Sequence, residues 1–111
     1  MASRRKEHQE DAKFRVFQII NENPQMTTRE IAQKVGISNG STYYLLTSLI
    51  DLGFIKLSNF KDSSQKIKYS YLLTSKGIRE KSLVTSKFLV RKKKEYELLK
   101  KEITELERDL S

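Results

Sequence analysis

A run of polar side chains between Asn39 and Tyr44 is suited to hydrogen bonding with base edges and phosphates. Asn can pair bidentately with adenine, Ser and Thr bond to bases or phosphates, and a Tyr ring can contact a thymine methyl group. No acidic side chain lies among these residues, so nothing there repels a phosphate. The residues predicted to read bases are Asn39, Ser41, Tyr43, Tyr44 and Ser48. The alternative is an ordinary core helix with a polar outer surface.

A second group of residues carries chemistry for phosphate but not for base sequence. Lysines on a short polar loop neutralise phosphates without reading bases, and this loop contains no Arg, the usual probe of the minor groove. A positive group in the first turn of a helix opposes the helix dipole, which makes Arg29 a candidate for phosphate binding. The predicted phosphate contacts are Thr28, Arg29, Ser38, Thr47, Lys61, Ser63, Ser64, Lys66 and Lys68. A solubilising loop is the alternative for the lysine group.

Three predicted helices must position the readout residues. Apolar residues recur every three or four positions between Glu10 and Asn23, and Asn23-Pro24 ends that helix. Thr27 with Glu30 three residues later forms a capping box that begins a short second helix ending at Gly36. Ser38 can cap a third helix that runs to Leu52 with Thr42, Leu45, Leu46, Leu49 and Leu52 as its inner residues. Two helices joined by a few residues around a glycine are typical of a helix-turn-helix.

The lysine-bearing loop is predicted to connect two strands. Residues Phe54–Phe60 and Ile67–Leu73 have extended character, and polar residues 61–66 separate them. A hairpin directly after the third helix is a wing. The predicted fold is therefore mainly α (α+β): a winged helix-turn-helix of three helices plus a two-stranded β wing, followed by a long C-terminal helix.

Thr74 can cap that terminal helix, and the first turn of the helix tolerates Gly77. Residues 78–111 contain neither proline nor glycine. A seven-residue apolar repeat runs along the helix, with Lys92 at one apolar position, and it predicts a coiled-coil-like seam. The seam residues predicted to mediate dimerisation are Leu89, Tyr96, Leu99, Ile103, Leu106 and Leu110. We expect a second copy of the chain to cover them, because the rest of the chain offers nothing for them to pack against. The basic run 91–94 is interpreted as a solvated helix face, with contact to flanking DNA or to an anionic lipid surface as the alternative. Ile78, Leu83 and Val84 are candidates to pack on the chain's own domain.

Composition narrows the classes of function. The chain has 111 residues and a formal net charge of +8, which suggests a polyanionic partner. It has no Cys and one His, His8, in a charged N-terminal stretch, so the sequence points to no metal site, cofactor or catalytic group. We predict a non-enzymatic protein with no membrane span. Its predicted parts are a flexible basic leader (1–9), a winged helix-turn-helix domain (10–77) and a dimerisation helix (78–111).

The motifs resemble a known family over about residues 10–110. The segments that carry the resemblance to MarR-type winged helices are Thr27-Thr28-Arg29-Glu30-Ile31-Ala32, Val35-Gly36-Ile37-Ser38, Leu46 to Leu49 and Gly53-Phe54-Ile55-Lys56. The segments Leu57 to Asp62 and Lys68-Tyr69-Ser70-Tyr71-Leu72-Leu73-Thr74-Ser75-Lys76-Gly77-Ile78 are similar to the exopolysaccharide (EPS)-associated MarR subgroup, which usually has Pro where Ser75 stands.

The resemblance implies a homodimeric transcription regulator on a pseudo-palindromic double-stranded DNA operator, in the bacterial cytoplasm at the nucleoid. It also implies control of exopolysaccharide biosynthesis genes. Members of the wider class often bind a small phenolic or lipophilic effector near the dimer junction. This chain lacks the paired N- and C-terminal helices of those proteins, so an effector is not supported.

A different class of function fits the same elements. The winged helix could bind a protein or RNA, with the terminal helix as the docking surface. The outer surface of the third helix separates the two interpretations, since protein docking favours an apolar surface and this one is polar and free of acidic residues.

Overall fold

The computed structural model describes residues 3–61, 63–64 and 66–111. Along the chain lie α1 (Ser3–Glu22), α2 (Thr28–Val35), α3 (Asn39–Asp51), β1 (Ile55–Lys61), β2 (Ile67–Leu73) and α4 (Ser75–Leu110). This order confirms the predicted fold of three helices, a two-stranded antiparallel wing and a long terminal helix. Met1, Ala2 and the wing residues Asp62 and Gln65 lie outside the described residues.

Helix α1 carries the centre of the core. Val16, Phe17 and Ile20 are buried at the helical spacing that the sequence predicts. The helix ends before Asn23-Pro24, as predicted, but it begins at Ser3 instead of Glu10. Residues 5–9 are exposed, so no apolar periodicity in the sequence marks this extension.

Local capping defines α2 and α3. The Thr27 hydroxyl accepts a hydrogen bond from the Glu30 backbone amide at 3.1 Å, and the Glu30 carboxylate accepts one from the Thr27 amide at 3.2 Å. Gly36 ends α2 in the left-handed conformation, with φ of 81°. Ser38 caps α3 by accepting from the Ser41 amide at 3.0 Å. Of the predicted inner residues of α3, Leu52 is half exposed at its C-terminal end and the other four face the core.

The hairpin is an antiparallel pair whose register runs from Ile55 opposite Leu73 to Lys61 opposite Ile67. Ile55 is buried in the core and ties the base of the wing to the helices. Seven-residue strands with a rise of about 3.4 Å per residue carry the tip of the wing about 20 Å from that base.

The start of α4 approaches the preceding backbone very closely. Thr74 caps the helix by accepting from the Gly77 amide at 3.0 Å, and its own backbone amide donates to the Phe54 carbonyl at 3.0 Å. A Cβ atom at Gly77 would stand 1.8 Å from that carbonyl oxygen. Gly77 is therefore required by the close approach of α4 to the segment between α3 and β1.

Helix α4 packs antiparallel along α1 through its first half. The Phe14 and Phe88 rings stack with centroids 4.2 Å apart, and Lys13 pairs with Glu80 at 2.7 Å. Arg91 bonds to Glu10 at 2.8 Å and also to Asp11.

Three expectations about α4 need correction. Arg91 is not on a solvated face, because its side chain is only 21% exposed between two carboxylates. Ile78 and Leu83 point into solvent, and of the three candidates only Val84 joins the core.

Candidate nucleic-acid interface

The outer surface of α3 is the candidate recognition surface. Thr42, Leu46 and Leu49 face inward and are almost fully buried, and the Thr42 hydroxyl donates to the Ser38 carbonyl at 2.9 Å. This inward row fixes the rotation of the helix about its axis. The opposite surface is therefore presented to solvent by packing and not by chance.

The predicted base-reading residues divide by exposure. Tyr43 and Tyr44 are 66% and 75% exposed, unusually open for tyrosines in a small domain. Asn39 and Ser41 are exposed in the first turn, whereas Ser48 is half-buried about two turns further along. Ser41 Oγ accepts from Ser38 Oγ at 2.9 Å. The two tyrosines and Asn39 are thus the most accessible of the set.

Two of the predicted phosphate contacts have structural roles. Ser38 Oγ is committed to capping α3, as described above. The Thr28 hydroxyl lies 3.1 Å from the Tyr71 hydroxyl, half-buried between α2 and the wing. By contrast, Arg29 in the first turn of α2 and Thr47 in α3 are exposed.

The remaining predicted phosphate contacts are on the wing. Lys61, Ser63, Ser64, Lys66 and Lys68 are all exposed there. Lys61 lies at the end of β1, and Lys68 lies opposite Phe60, so the lysines gather at the distal part of the hairpin and not at its base. The structure therefore presents two separate groups, one on α3 and one on the wing tip.

A third feature of this side of the molecule is a groove of about 1170 Å³ between α1 and α3. Arg5, Lys6 and Lys13 contribute cationic side chains from α1, while Ser41 and Tyr44 line the α3 wall. From the sequence, residues 1–9 are predicted to form a flexible basic leader, and no contact is assigned to them. The signal available was the basic cluster at residues 4–6, but nothing in the sequence showed that a helix aligns it with α3.

The seam on α4 is exposed along its whole length. Its six residues are between 47% and 90% exposed, and the helix of 36 residues spans about 54 Å in a molecule 67 Å long. The seam residues are Leu89, Tyr96, Leu99, Ile103, Leu106 and Leu110. The far half of α4 therefore projects from the body with an apolar stripe in water.

Among the residues that the structure describes, no group of three His, Cys, Asp or Glu side chains is placed to hold a metal ion. None of the described helices is long and apolar enough to cross a membrane.

Residues 9–56 match the family model described as winged helix-turn-helix DNA-binding. This match spans α1 through the start of β1, which are the elements that carry the candidate recognition surface. No curated protein sequence matches the chain.

Several solved structures are similar in fold. A PadR-like transcriptional regulator from Bacillus cereus superposes with a TM-score of 0.68 at 19% identity, over 78% of this chain and 89% of that chain. The MepR G34K mutant of Staphylococcus aureus has a TM-score of 0.59 at 18% identity, over 100% of this chain and 94% of that one. The transcriptional repressor CouR, bound to a 23-mer DNA duplex, has a TM-score of 0.51 at 23% identity. The match covers 66% of this chain but only 50% of the CouR chain.

Proposed function

We propose that this protein is a sequence-specific double-stranded DNA-binding transcription regulator of the MarR type that acts as a homodimer. The observation that carries the proposal is the outer surface of α3, polar, free of acidic residues and bearing two exposed tyrosines next to Asn39. In helix-turn-helix proteins the second helix of the motif enters the major groove with its N-terminal residues on the base edges. CouR, which has a similar fold, is bound to a DNA duplex, and this supports duplex DNA as the ligand.

Protein or RNA docking is the competing function. A protein-binding surface concentrates apolar side chains at its centre, whereas Leu45, Leu46 and Leu49 of α3 face inward here. Single-stranded RNA recognition uses stacked aromatic side chains, which Tyr43 and Tyr44 could supply. We favour duplex DNA because Asn39 and Ser41 in the first turn of α3 offer hydrogen bonds to base edges, and the major groove is wide enough to admit an α-helix.

Selection from a pool of random 30-bp duplexes tests sequence-specific binding. Wild-type protein is expected to enrich one motif, and Tyr44→Ala is expected to bind the enriched and scrambled duplexes more nearly alike. Lys66→Ala should weaken binding to both duplexes by a similar factor, because a wing lysine contacts phosphate. Failure of the wild type to enrich any motif would refute the sequence-specific part.

The homodimer is supported by the exposed seam. Burying large apolar side chains contributes about 1.5–3 kcal/mol each, so covering the seam with a second copy offsets the cost of association. Sedimentation equilibrium should give twice the 13.0 kDa chain mass for the wild type. Ile103→Lys, in the seam, should yield a monomer, while Leu98→Lys, exposed but outside the seam, should remain a dimer. A wild-type monomer at micromolar concentration contradicts the dimer.

Control of exopolysaccharide genes is the finer part of the proposal. It rests on the resemblance of the segments around Leu57–Asp62 and Lys68–Ile78 to the EPS-associated subgroup. Immunoprecipitation of bound genomic fragments tests it directly. Recovery of fragments that all lie away from polysaccharide loci would remove this part and leave DNA binding intact.

A further inference from the structure

The basic groove between α1 and α3 adjoins the candidate recognition surface. Its α3 wall is made by Gly40, Ser41 and Tyr44, which belong to the first turns of that helix. Its α1 wall presents Arg5 and Lys6, both exposed. The α3 wall therefore carries candidate base-reading residues, and the α1 wall on the other side of the groove carries two positive charges.

The charge of this groove is largely uncompensated. Glu10 is the single acidic residue among those that line it, and its carboxylate is already held by Arg91 at 2.8 Å. Lys13 is neutralised by Glu80 at 2.7 Å. Within the described part of the chain, neither Arg5 nor Lys6 forms an ion pair, so their charges face the groove and solvent.

The position of these charges carries a local cost. The first turn of α1 contains no acidic residue, and cations near the positive end of a helix dipole destabilise the helix. Phe14–Phe88 stacking and the Arg91 contacts hold α1 against α4 nonetheless. These contacts hold residues 10–14 of α1 against α4, and the helix continues from them toward the groove beside α3.

We propose that Arg5 and Lys6 bind the phosphates of the DNA strand that borders the major groove occupied by α3. When the N-terminal residues of a recognition helix reach the bases, the adjacent sugar–phosphate strand passes along the side of its first turn. The groove lies on that side, open to solvent and lined by cations. The proposal rests on the proposed function and adds a third DNA-binding element to α3 and the wing.

Salt dependence of binding to a mixed-sequence 30-bp duplex tests this contact without knowledge of the operator. Each neutralised phosphate contributes about 0.9 to the slope of log K against log salt. The proposed homodimer carries two copies of each residue, so the double variant Arg5→Gln/Lys6→Gln removes four phosphate contacts and should lower the slope by about 3.6. Between 50 and 200 mM salt its affinity should therefore fall about 150-fold less than that of the wild type. Gln retains helix propensity and leaves α1 intact, which far-UV circular dichroism verifies.

The matched control removes the same two kinds of charge from the far half of α4. Lys101→Gln/Arg108→Gln lies outside the apolar seam, and both side chains are exposed. This variant should keep the wild-type slope. An unchanged slope in Arg5→Gln/Lys6→Gln, or an equal decrease in the control, overturns the groove proposal while the selection of a DNA motif still stands. Wild-type protein that binds no duplex at 50 mM salt overturns both.

Cross-linking gives an independent readout of position. The chain has no native Cys, so a benzophenone maleimide can be attached at one chosen site. A label on Gln9→Cys, in the groove, should cross-link to the duplex, and a label on Arg108→Cys should not. Cross-linking from Arg108 alone would contradict the proposed path of the strand.

Discussion

Replacing Gly77 with alanine is expected to destabilise the protein, although alanine is the better helix former. The added Cβ would meet the Phe54 carbonyl oxygen at 1.8 Å and the Phe54 carbonyl carbon at 2.8 Å. Both are backbone atoms, so no side-chain rotation relieves the overlap. The same oxygen accepts a hydrogen bond from the Thr74 amide at 3.0 Å, and the Thr74 hydroxyl is shared between the Gly53 carbonyl at 2.5 Å and the Phe54 carbonyl at 3.2 Å.

The magnitude follows from these contacts. A carbon and an oxygen approach to about 3.3 Å without repulsion, so α4 and the Phe54 backbone must separate by roughly 1.5 Å. Such overpacking costs about 1–3 kcal/mol, and loss of the two Thr74 bonds to the Phe54 carbonyl adds about 1 kcal/mol each. Alanine recovers about 1 kcal/mol of helix propensity relative to glycine. The expected net loss in the free energy of unfolding is about 2–4 kcal/mol.

Urea unfolding followed by circular dichroism measures this loss, at one fixed protomer concentration because a dimer's stability depends on it. With a slope of about 2 kcal/mol per molar urea, the midpoint should fall by about 1–2 M. Gly40→Ala is the matched control, since nothing lies within 4 Å of a Cβ there. That variant should be as stable as the wild type or slightly more so. A Gly77→Ala midpoint equal to that of Gly40→Ala would refute the close-approach argument.

Two further predictions concern packing. Leu46→Ala should lower the free energy of unfolding by about 2–4 kcal/mol, because Leu46 is 2% exposed in the core, whereas Leu52→Ala should cost under about 1 kcal/mol at its half-exposed site; equal midpoints in urea would contradict this burial. Arg91→Ala should cost about 1 kcal/mol, and Arg91→Lys should recover only part of it, because one ammonium group cannot match the fork that reaches both Glu10 and Asp11. Full recovery by Lys in the same unfolding measurement would show that charge alone matters there.

The sequence was sufficient for those features that depend on neighbours along the chain. The capping residues Thr27, Ser38 and Thr74 act within three residues, and Gly36 ends its helix through its own backbone conformation. Proline after Asn23 stops α1 for an equally local reason. The winged helix-turn-helix order, and the residues that α3 turns outward, follow from such signals together with apolar periodicity.

Tertiary structure decided the features that join distant segments. The sequence predicts only that the first turn of α4 tolerates Gly77. The structure requires glycine there because a Cβ atom would overlap the Phe54 carbonyl oxygen. Arg91 belongs to a basic run by sequence, yet it pairs with carboxylates about 80 residues away. Residues 5–9 of α1 are exposed, so no apolar pattern predicts them, and their place beside α3 comes from how α1 and α4 pack together. Capping and periodicity act over one or two turns, so they specify which elements form, whereas contacts between elements are set by which surfaces the whole chain can bury together.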